Sequence, residues 1–380
     1  MRLLFLTGSR GEWGYIHPIL KECKRKKIKF SICANNMHLL DSYGLSLDEI
    51  RKDGFQVDES VYCALDGYNT HTTVKSLGVL IQSLSDIVQR VKPDWIILAG
   101  DRSETMAAAI VSAYSNIPFA HIQAGELSGQ IDGQARHAIG KFAHLHFASN
   151  KDAEKRLLKL GEQKFRVKMI GAPQLDQIYE KKKKYKILNP VLKRLGLKID
   201  KKYALVIYHP PQEKIESIKN HFDGIFAFLN NTKITRIWIS PNNDSGSTIV
   251  KSEFLKKRTQ DDFIFDNLPR EDYLTLLCNA NFILGNSSSG ILESPTFKTP
   301  CINIGYRQNG RIRAKNVIDV VRPTKTNLVK AFLKINSKQF KKNLTNLKNP
   351  YGNGDSSRKI INSLLNTKIN DKLLFKKLTY

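Results

Sequence analysis

Five stretches of this chain gather the residue types that act on phosphates and on carbon acids. The first is Thr7-Gly8-Ser9-Arg10-Gly11-Glu12-Trp13-Gly14. Its glycines let the backbone approach a ligand closely, and Arg10 offers the planar donor fork that suits a phosphate. It is neither the G-x-G-x-x-G of a dinucleotide fold nor a Gly-Lys-Ser/Thr phosphate loop, so a tight turn into a helix over residues 15–24 is the competing reading.

The second stretch, Ala99-Gly100-Asp101-Arg102-Ser103-Glu104, offers Asp101 either as a helix cap or as a catalytic carboxylate. The third runs from His121-Ile122-Gln123-Ala124-Gly125-Glu126 through Asp132 to Arg136. Two carboxylates, Glu126 and Asp132, in a glycine-rich loop suit acid–base work, whereas Asp132 and Arg136 are also spaced as an ordinary i, i+4 helix pair. In the fourth, Tyr208-His209-Pro210, His209 is an acid, a base, a phosphate contact or a structural hydrogen-bonder. The fifth, Gly285-Asn286-Ser287-Ser288-Ser289-Gly290-Ile291-Leu292-Glu293, exceeds what a serine cap requires and reads as a diphosphate site, with Glu293 placed to hold ribose hydroxyls.

Each stretch follows a short apolar run, and those runs define the elements that must position it. Residues 3–7, 30–34, 95–99, 118–122 and 145–148 read as buried parallel strands, as do 204–208, 236–240, 263–265, 282–285 and 301–304 in the second half. Leu77, Leu80, Ile81, Leu84 and Ile87 form the apolar stripe of a helix over 76–90, and residues 103–115, 248–258, 271–280 and 289–297 supply others. Alternation of this kind means βαβ units and parallel sheets. The spacing predicts an α/β fold of two Rossmann-like domains, over 1–170 and 201–335, joined by a lysine-rich linker at 171–200. A helical segment at 336–380 crosses back. In open sheets of this type ligands bind beyond the carboxyl ends of the strands, so the active site is expected in the cleft between the domains.

Composition narrows the function classes. With 61 Lys and Arg against 35 Asp and Glu in 380 residues, the net charge of +26 is compatible with nucleic acid, an anionic surface or a phosphorylated substrate. Aromatics do not interleave with the lysine runs and no nucleic-acid motif is present, which disfavours the first. No stretch approaches the roughly 20 apolar residues of a membrane span, and the start is too short in apolar residues for an export signal. The five cysteines form no CxxC pair, so neither a disulfide framework nor a zinc site is expected, and a reducing cytoplasm is the simplest location.

Taken together, the motifs resemble the hydrolysing UDP-N-acetylglucosamine 2-epimerases of sialic and legionaminic acid synthesis. The resemblance rests on Gly8-Ser9-Arg10, Gly100-Asp101-Arg102, His121 to Glu126 with Asp132 and Arg136-His137-Ala138-Ile139, His209-Pro210, Gly285 to Gly290, and Gly305-Tyr306-Arg307-Gln308. It spans about residues 1–319 and implies a glycosyltransferase-B-like pair of Rossmann domains, no cofactor, no metal, and a homo-oligomer, dimer or tetramer. The implied substrate is an N-acetylated UDP-hexosamine, with no nucleic-acid or membrane partner. Asp101, Glu126, Asp132 and His209 would be catalytic, while Arg10, Arg102, Arg136, Ser287, Ser288, Ser289, Gly290, Glu293 and Arg307 would bind substrate. Gly133 departs from the sialic-acid members, which carry a second acid there, and Gln123-Ala124 with Gly11-Glu12-Trp13 is more similar to the legionaminic branch. A retaining UDP-sugar transferase on the same fold is the alternative, since fold does not fix function.

Overall fold

The computed structural model describes residues 1–41, 46–65, 69–127, 131–197, 202–211, 216–232, 234–241, 246–260, 262–377 and 379; the side chains of Ile131 and Asp132 lie outside that description. The chain divides into two compact units. The first comprises Met1–Leu127, Ile131–Gln177 and Tyr351–Tyr380, and the second Ile178–Pro350 with residues 128–130.

The first unit is built on strands β1 (Arg2–Thr7), β2 (Lys29–Asn35), β3 (Glu59–Val61), β4 (Trp95–Ala99), β5 (Phe119–Ile122), β6 (Leu145–Ala148) and β7 (Val167–Met169). All pair in parallel, in the order β3-β2-β1-β4-β5-β6-β7. Alternate residues of the central strands enter different cores. Leu3, Phe5, Trp95 and Ile97 pack on one face, and Leu4, Leu6, Ile96 and Leu98 on the other. A strand covered on both faces must be apolar at every position, which is why these runs stood out in the sequence. Helix Ser356–Leu365 returns to this unit, where Ile360, Ile361 and Leu364 join the core formed with Ile16 and Leu20 of helix Arg10–Arg25.

The second unit repeats the plan with β8 (Tyr203–Ile207), β9 (Thr235–Ile239), β10 (Asp262–Phe265), β11 (Phe282–Gly285), β12 (Cys301–Ile304) and β13 (Val317–Val320), in the order β10-β9-β8-β11-β12-β13. Its topological switch lies between β8 and β11, as that of the first unit lies between β1 and β4. The lysine run at 181–184 is tied down in part, because Lys181 and Lys184 both donate to the Glu271 carboxylate at 2.5 and 2.7 Å.

Three differences from the sequence reading have physical causes. Strands β3, β7 and β13 carry few buried positions, so they lacked the continuous apolar signature. The first helix begins at Arg10, five residues before the expected start at 15, because Ser9 is its N-cap and accepts from the Glu12 amide at 3.4 Å. The helix expected over 289–297 is two short ones, Ser289–Leu292 and Ser294–Phe297. Pro295 has no amide proton to continue the first.

At Gly285, φ is +136° and a side-chain carbon would lie 1.9 Å from the Ile207 carbonyl oxygen, so β8 and β11 can approach only through a glycine. Gly285→Ala is expected to cost about 2–4 kcal/mol, from steric overlap and backbone strain together. The midpoint of urea unfolding checks this.

Candidate active site

In the first unit the chemistry-bearing residues stand on the turns after β1, β4, β5 and β6. Gly100 and Gly125 have φ of +86° and +74°, and Gln123 reaches +60°, so both the β4 and the β5 ends turn sharply. Arg136, on helix Ile131–Phe142, is only 1% exposed and is held from two sides. Its Nη2 pairs with Asp101 Oδ2, and its Nη1 donates to the Gln123 carbonyl at 3.0 Å. One buried cation therefore fastens the β4 turn to the β5 turn.

His121 adds a second fastening, since its Nε2 lies 2.7 Å from the Gly100 carbonyl and must be the protonated nitrogen. Burial pushes His121 down to about 3, against the pull of that bond, and the Arg136 charge adds to the depression. The ring is neutral at physiological pH.

Glu126 is buried and its Oε1 accepts from Ser149 Oγ at 3.0 Å and from Asn150 Nδ2 at 2.5 Å, both just beyond β6. Its orientation is thus set by the neighbouring strand end. Asp132 begins the same helix as Arg136, and its side chain lies outside the described residues, as does the 128–130 part of the loop.

Arg10, at the first position of its helix, forms an ion pair with Glu49 at 3.2 Å, and burial lowers its pKa from the usual arginine value. Arg102 pairs through Nε with Glu104 at 3.4 Å, and Glu104 also accepts from Ser103 Oγ at 3.1 Å and from Asn36 Nδ2. Two predicted substrate-binding cations therefore sit against carboxylates that the sequence reading did not single out.

In the second unit Asn286 is the hub. Its Oδ1 accepts from the His209 amide at 2.7 Å, and its Nδ2 donates to the His209 carbonyl at 2.8 Å. The Asn286 carbonyl in turn accepts from Gln308 Nε2 at 2.9 Å and Arg307 Nη1 at 3.3 Å. The ends of β8, β11 and β12 are thereby joined through one buried amide, which brings His209 and Arg307 together.

The serine loop is differently occupied. Ser287 Oγ accepts from the Ser289 amide at 3.4 Å, and Ser289 Oγ donates to Glu293 Oε2 at 2.6 Å while meeting the Tyr273 hydroxyl. Glu293 also takes Arg270 Nη2 at 2.6 Å. Ser288 stands at the N-cap position of the short helix without a side-chain capping bond, and Gly290 is required by packing, because a side-chain carbon there would lie 2.7 Å from Cys301 Sγ. Asn286, Arg270, Tyr273, Ser149 and Asn150 were missed as site residues. Ser149-Asn150 directly follows a predicted strand, the signal used for the other loops, whereas nothing local marks Arg270 or Tyr273. Among the described residues no three His, Cys, Asp or Glu side chains converge as a metal-ligand set.

A family model described as UDP-N-acetylglucosamine 2-epimerase matches residues 21–365. The UDP-N,N'-diacetylbacillosamine 2-epimerase (hydrolyzing) of Legionella pneumophila is 34% identical over 322 residues, which cover 84% of this chain and 85% of that protein. The GDP/UDP-N,N'-diacetylbacillosamine 2-epimerase (hydrolyzing) of Campylobacter jejuni is 35% identical over 348 residues, 90% of this chain and 89% of the relative. Among solved structures, the UDP-GlcNAc 2-epimerase of Neisseria meningitidis bound to UDP-GlcNAc superposes with a TM-score of 0.83 at 20% identity, covering 97% of this chain and all of that one. That likeness shows the glycosyltransferase-B-like fold. The relatives give the transferase alternative no support.

Two outcomes follow from the first unit's geometry. Asp101→Asn leaves the buried Arg136 guanidinium without its counter-charge, and a loss of about 2–3 kcal/mol in urea unfolding is expected, below the value for a fully buried pair because Asp101 is partly exposed. The depressed His121 costs stability only where the unfolded chain gains a proton that the folded one refuses, that is, as pH falls below about 6.5. His121→Gln keeps a donor for Gly100 and does not titrate. It should reduce the steepness of acid destabilisation by up to about 1.4 kcal/mol per pH unit, measured by unfolding between pH 6.5 and 4.

Proposed function

Because this chain belongs to the UDP-N-acetylglucosamine 2-epimerase family, we propose that it hydrolyses an N-acetylated UDP-hexosamine to UDP and the free 2-epimer, feeding nonulosonic acid synthesis. The observation that carries the reading is identity of 34% and 35% to relatives named hydrolysing 2-epimerases, across 84% and 90% of the chain. Those two relatives are named for a diacetamido sugar, which favours a UDP-2,4-diacetamido-2,4,6-trideoxyhexose over UDP-N-acetylglucosamine.

The hydrogen on C2 of such a sugar is not acidic by itself, so cleavage of the C1–O bond must run ahead of its removal. As UDP leaves, a carboxylate takes the C2 proton and a glycal-like double bond forms between C1 and C2. Water then adds, placing hydroxyl on C1 and a proton on the opposite face of C2. Acid–base groups are needed on both faces, and Asp101, Glu126 and Asp132 are the proposed set. The hold of Ser149 and Asn150 on Glu126 Oε1 supports its inclusion in that set.

The leaving diphosphate gains negative charge as C1–O breaks, and preorganised cations and donors stabilise it. Arg10, Arg102, Arg307, His209 and the hydroxyls of Ser287, Ser288 and Ser289 are the proposed contacts, with Glu293 on the ribose. Arg10 and Glu293 are engaged with Glu49 and Arg270 respectively, so substrate must compete for them or be added to those pairs. Arg136 supports the site through Asp101, a positioning part in place of the direct contact expected from the motif. A cytoplasmic homo-oligomer is part of the same proposal. Among the described residues no helix is long and apolar enough to cross a membrane.

In D2O the purified protein is expected to release UDP and a manno-configured sugar carrying deuterium at C2, faster from the diacetamido substrate than from UDP-N-acetylglucosamine. Release of UDP without C2 deuteration would sink the reading. Arg10→Lys exchanges a fork for a point charge, and product inhibition by UDP should weaken about tenfold or more; unchanged inhibition removes Arg10 from the phosphate contacts.

A further inference from the structure

Ser9-Arg10-Gly11-Glu12 has the spacing of a helix capping box, in which an ionised glutamate three residues past the cap returns to the cap backbone at the surface. Here the glutamate is buried instead, 5% exposed, and its Oε2 accepts from the Gly8 amide at 2.5 Å. Buried beside it is Glu104, 4% exposed. A side-chain carbon on Gly8 would lie 3.1 Å from Glu104 Oε1, so the two carboxyl groups flank the same glycine. The cation at hand, Arg102, is paired with Glu104, and Arg10 is paired with Glu49. Two buried carboxylates against one guanidinium leave a charge uncompensated, a cost that a single proton removes.

The surrounding hydrogen bonds leave room for that proton on Glu12. Thr105 Oγ1 lies 3.1 Å from the Ala99 carbonyl and 3.4 Å from Glu12 Oε1. A threonine hydroxyl has one proton to give. With that proton on the nearer acceptor, the Ala99 carbonyl, which can only accept, Thr105 Oγ1 faces Glu12 with a lone pair and can take a proton from Glu12 Oε1.

We propose that Glu12 is a positioning residue, held as a neutral carboxylic acid whose Oε1 hydroxyl donates to Thr105 and so fastens the turn bearing Arg10 to the strand end bearing Asp101. The chain of bonds runs from the Gly8 amide to Glu12 Oε2, from Glu12 Oε1 to Thr105 Oγ1, and from Thr105 to the Ala99 carbonyl, the last residue of β4. Glu12 touches no reacting atom in this scheme. It fixes where two site loops stand, and this assignment deepens the epimerase reading without depending on it for its structural test.

Burial and the neighbouring Glu104 charge push Glu12 up to about 8, with Arg102 and the Gly8 and Ser9 amides acting in the opposite sense. The groups facing it are therefore Glu104 and Arg102 from the start of the helix at 103, and the amides of its own turn. Since the folded value lies above the ordinary 4.5, folding favours the proton, and the advantage is lost as pH rises toward 8.

The experiment compares wild type, Glu12→Gln, Thr105→Ser and Thr105→Val between pH 6.5 and 9.5, by thermal unfolding and by the pH profile of kcat/KM for UDP release. Glutamine reproduces the neutral acid, with an oxygen for Gly8 and a donor for Thr105. Wild type should lose thermal stability as pH rises from 6.5 to about 8 and level off above it, and should lose kcat/KM by up to about tenfold per pH unit above about 8, and Glu12→Gln should show neither decline. Thr105→Ser should behave as wild type, and Thr105→Val should lower kcat/KM throughout. Coincident pH profiles for wild type and Glu12→Gln, or failure of Glu12→Gln to fold, would overturn the assignment. If no UDP is released by any variant, the epimerase reading fails and the unfolding profiles alone decide this one.

Discussion

A guanidinium taken out of water needs a counter-charge and acceptors, and Arg136 finds them through its two Nη atoms, in Asp101 on one turn and the Gln123 carbonyl on the next. That constraint organises the first unit's site. Removing either partner leaves a buried cation short of the bonds that offset its desolvation, so the β4 and β5 ends cannot drift apart without a cost of several kcal/mol. His121, fastened to the Gly100 carbonyl, and Glu126, fastened to Ser149 and Asn150, extend the same stitching from β4 through β6. The result is a row of polar side chains whose positions are set by neighbours on adjacent strands.

The second unit solves the same problem with an amide. Asn286 offers one acceptor and one donor to the His209 backbone, and its own carbonyl collects Gln308 and Arg307. The neutral bonds between Asn286 and the His209 backbone are each worth about 1 kcal/mol net, less than the charged contacts of Arg136, but a buried partner left unmet costs more than a bond gains. Charge is thus spent where carboxylates must be aimed, and neutral donors where a histidine loop must be held. Four of the cations in these arrangements, Arg136, Arg10, Arg102 and Arg270, are paired at close range with Asp101, Glu49, Glu104 and Glu293.

Legibility in the sequence followed burial. The central strands were readable because parallel strands covered on both faces are apolar throughout, and the observed β4, β6, β11 and β12 coincide with the expected runs. Of the four edge strands, β3, β7 and β13 were not, since half-exposed positions admit polar residues, whereas β10 was expected from its Phe263-Ile264-Phe265 run although none of its positions is buried. The Gly-rich stretch at 8–14 looked like an open loop, yet a serine cap turns most of it into helix, which moves Arg10 from a loop to the first helical turn. Gly290 was expected to bind substrate, and the structure adds a packing demand on it from Cys301, as Ile207 places one on Gly285.

The sequence by itself determined which turns set polar residues just beyond a strand end, because a strand's end and the residues that follow it are local, adjacent features of one chain. It also determined the order of those loops, and the family to which they belong. Only the tertiary structure decided the partners. Arg136 bonds Asp101, 35 residues away, and Arg270 bonds Glu293, 23 residues away, while Glu12 and Thr105 meet across 93 residues. The physical reason is that a side chain's partner depends on which strands are neighbours in the sheet. In an order such as β3-β2-β1-β4-β5-β6-β7 that adjacency is a property of the folded topology, and no local spacing encodes it.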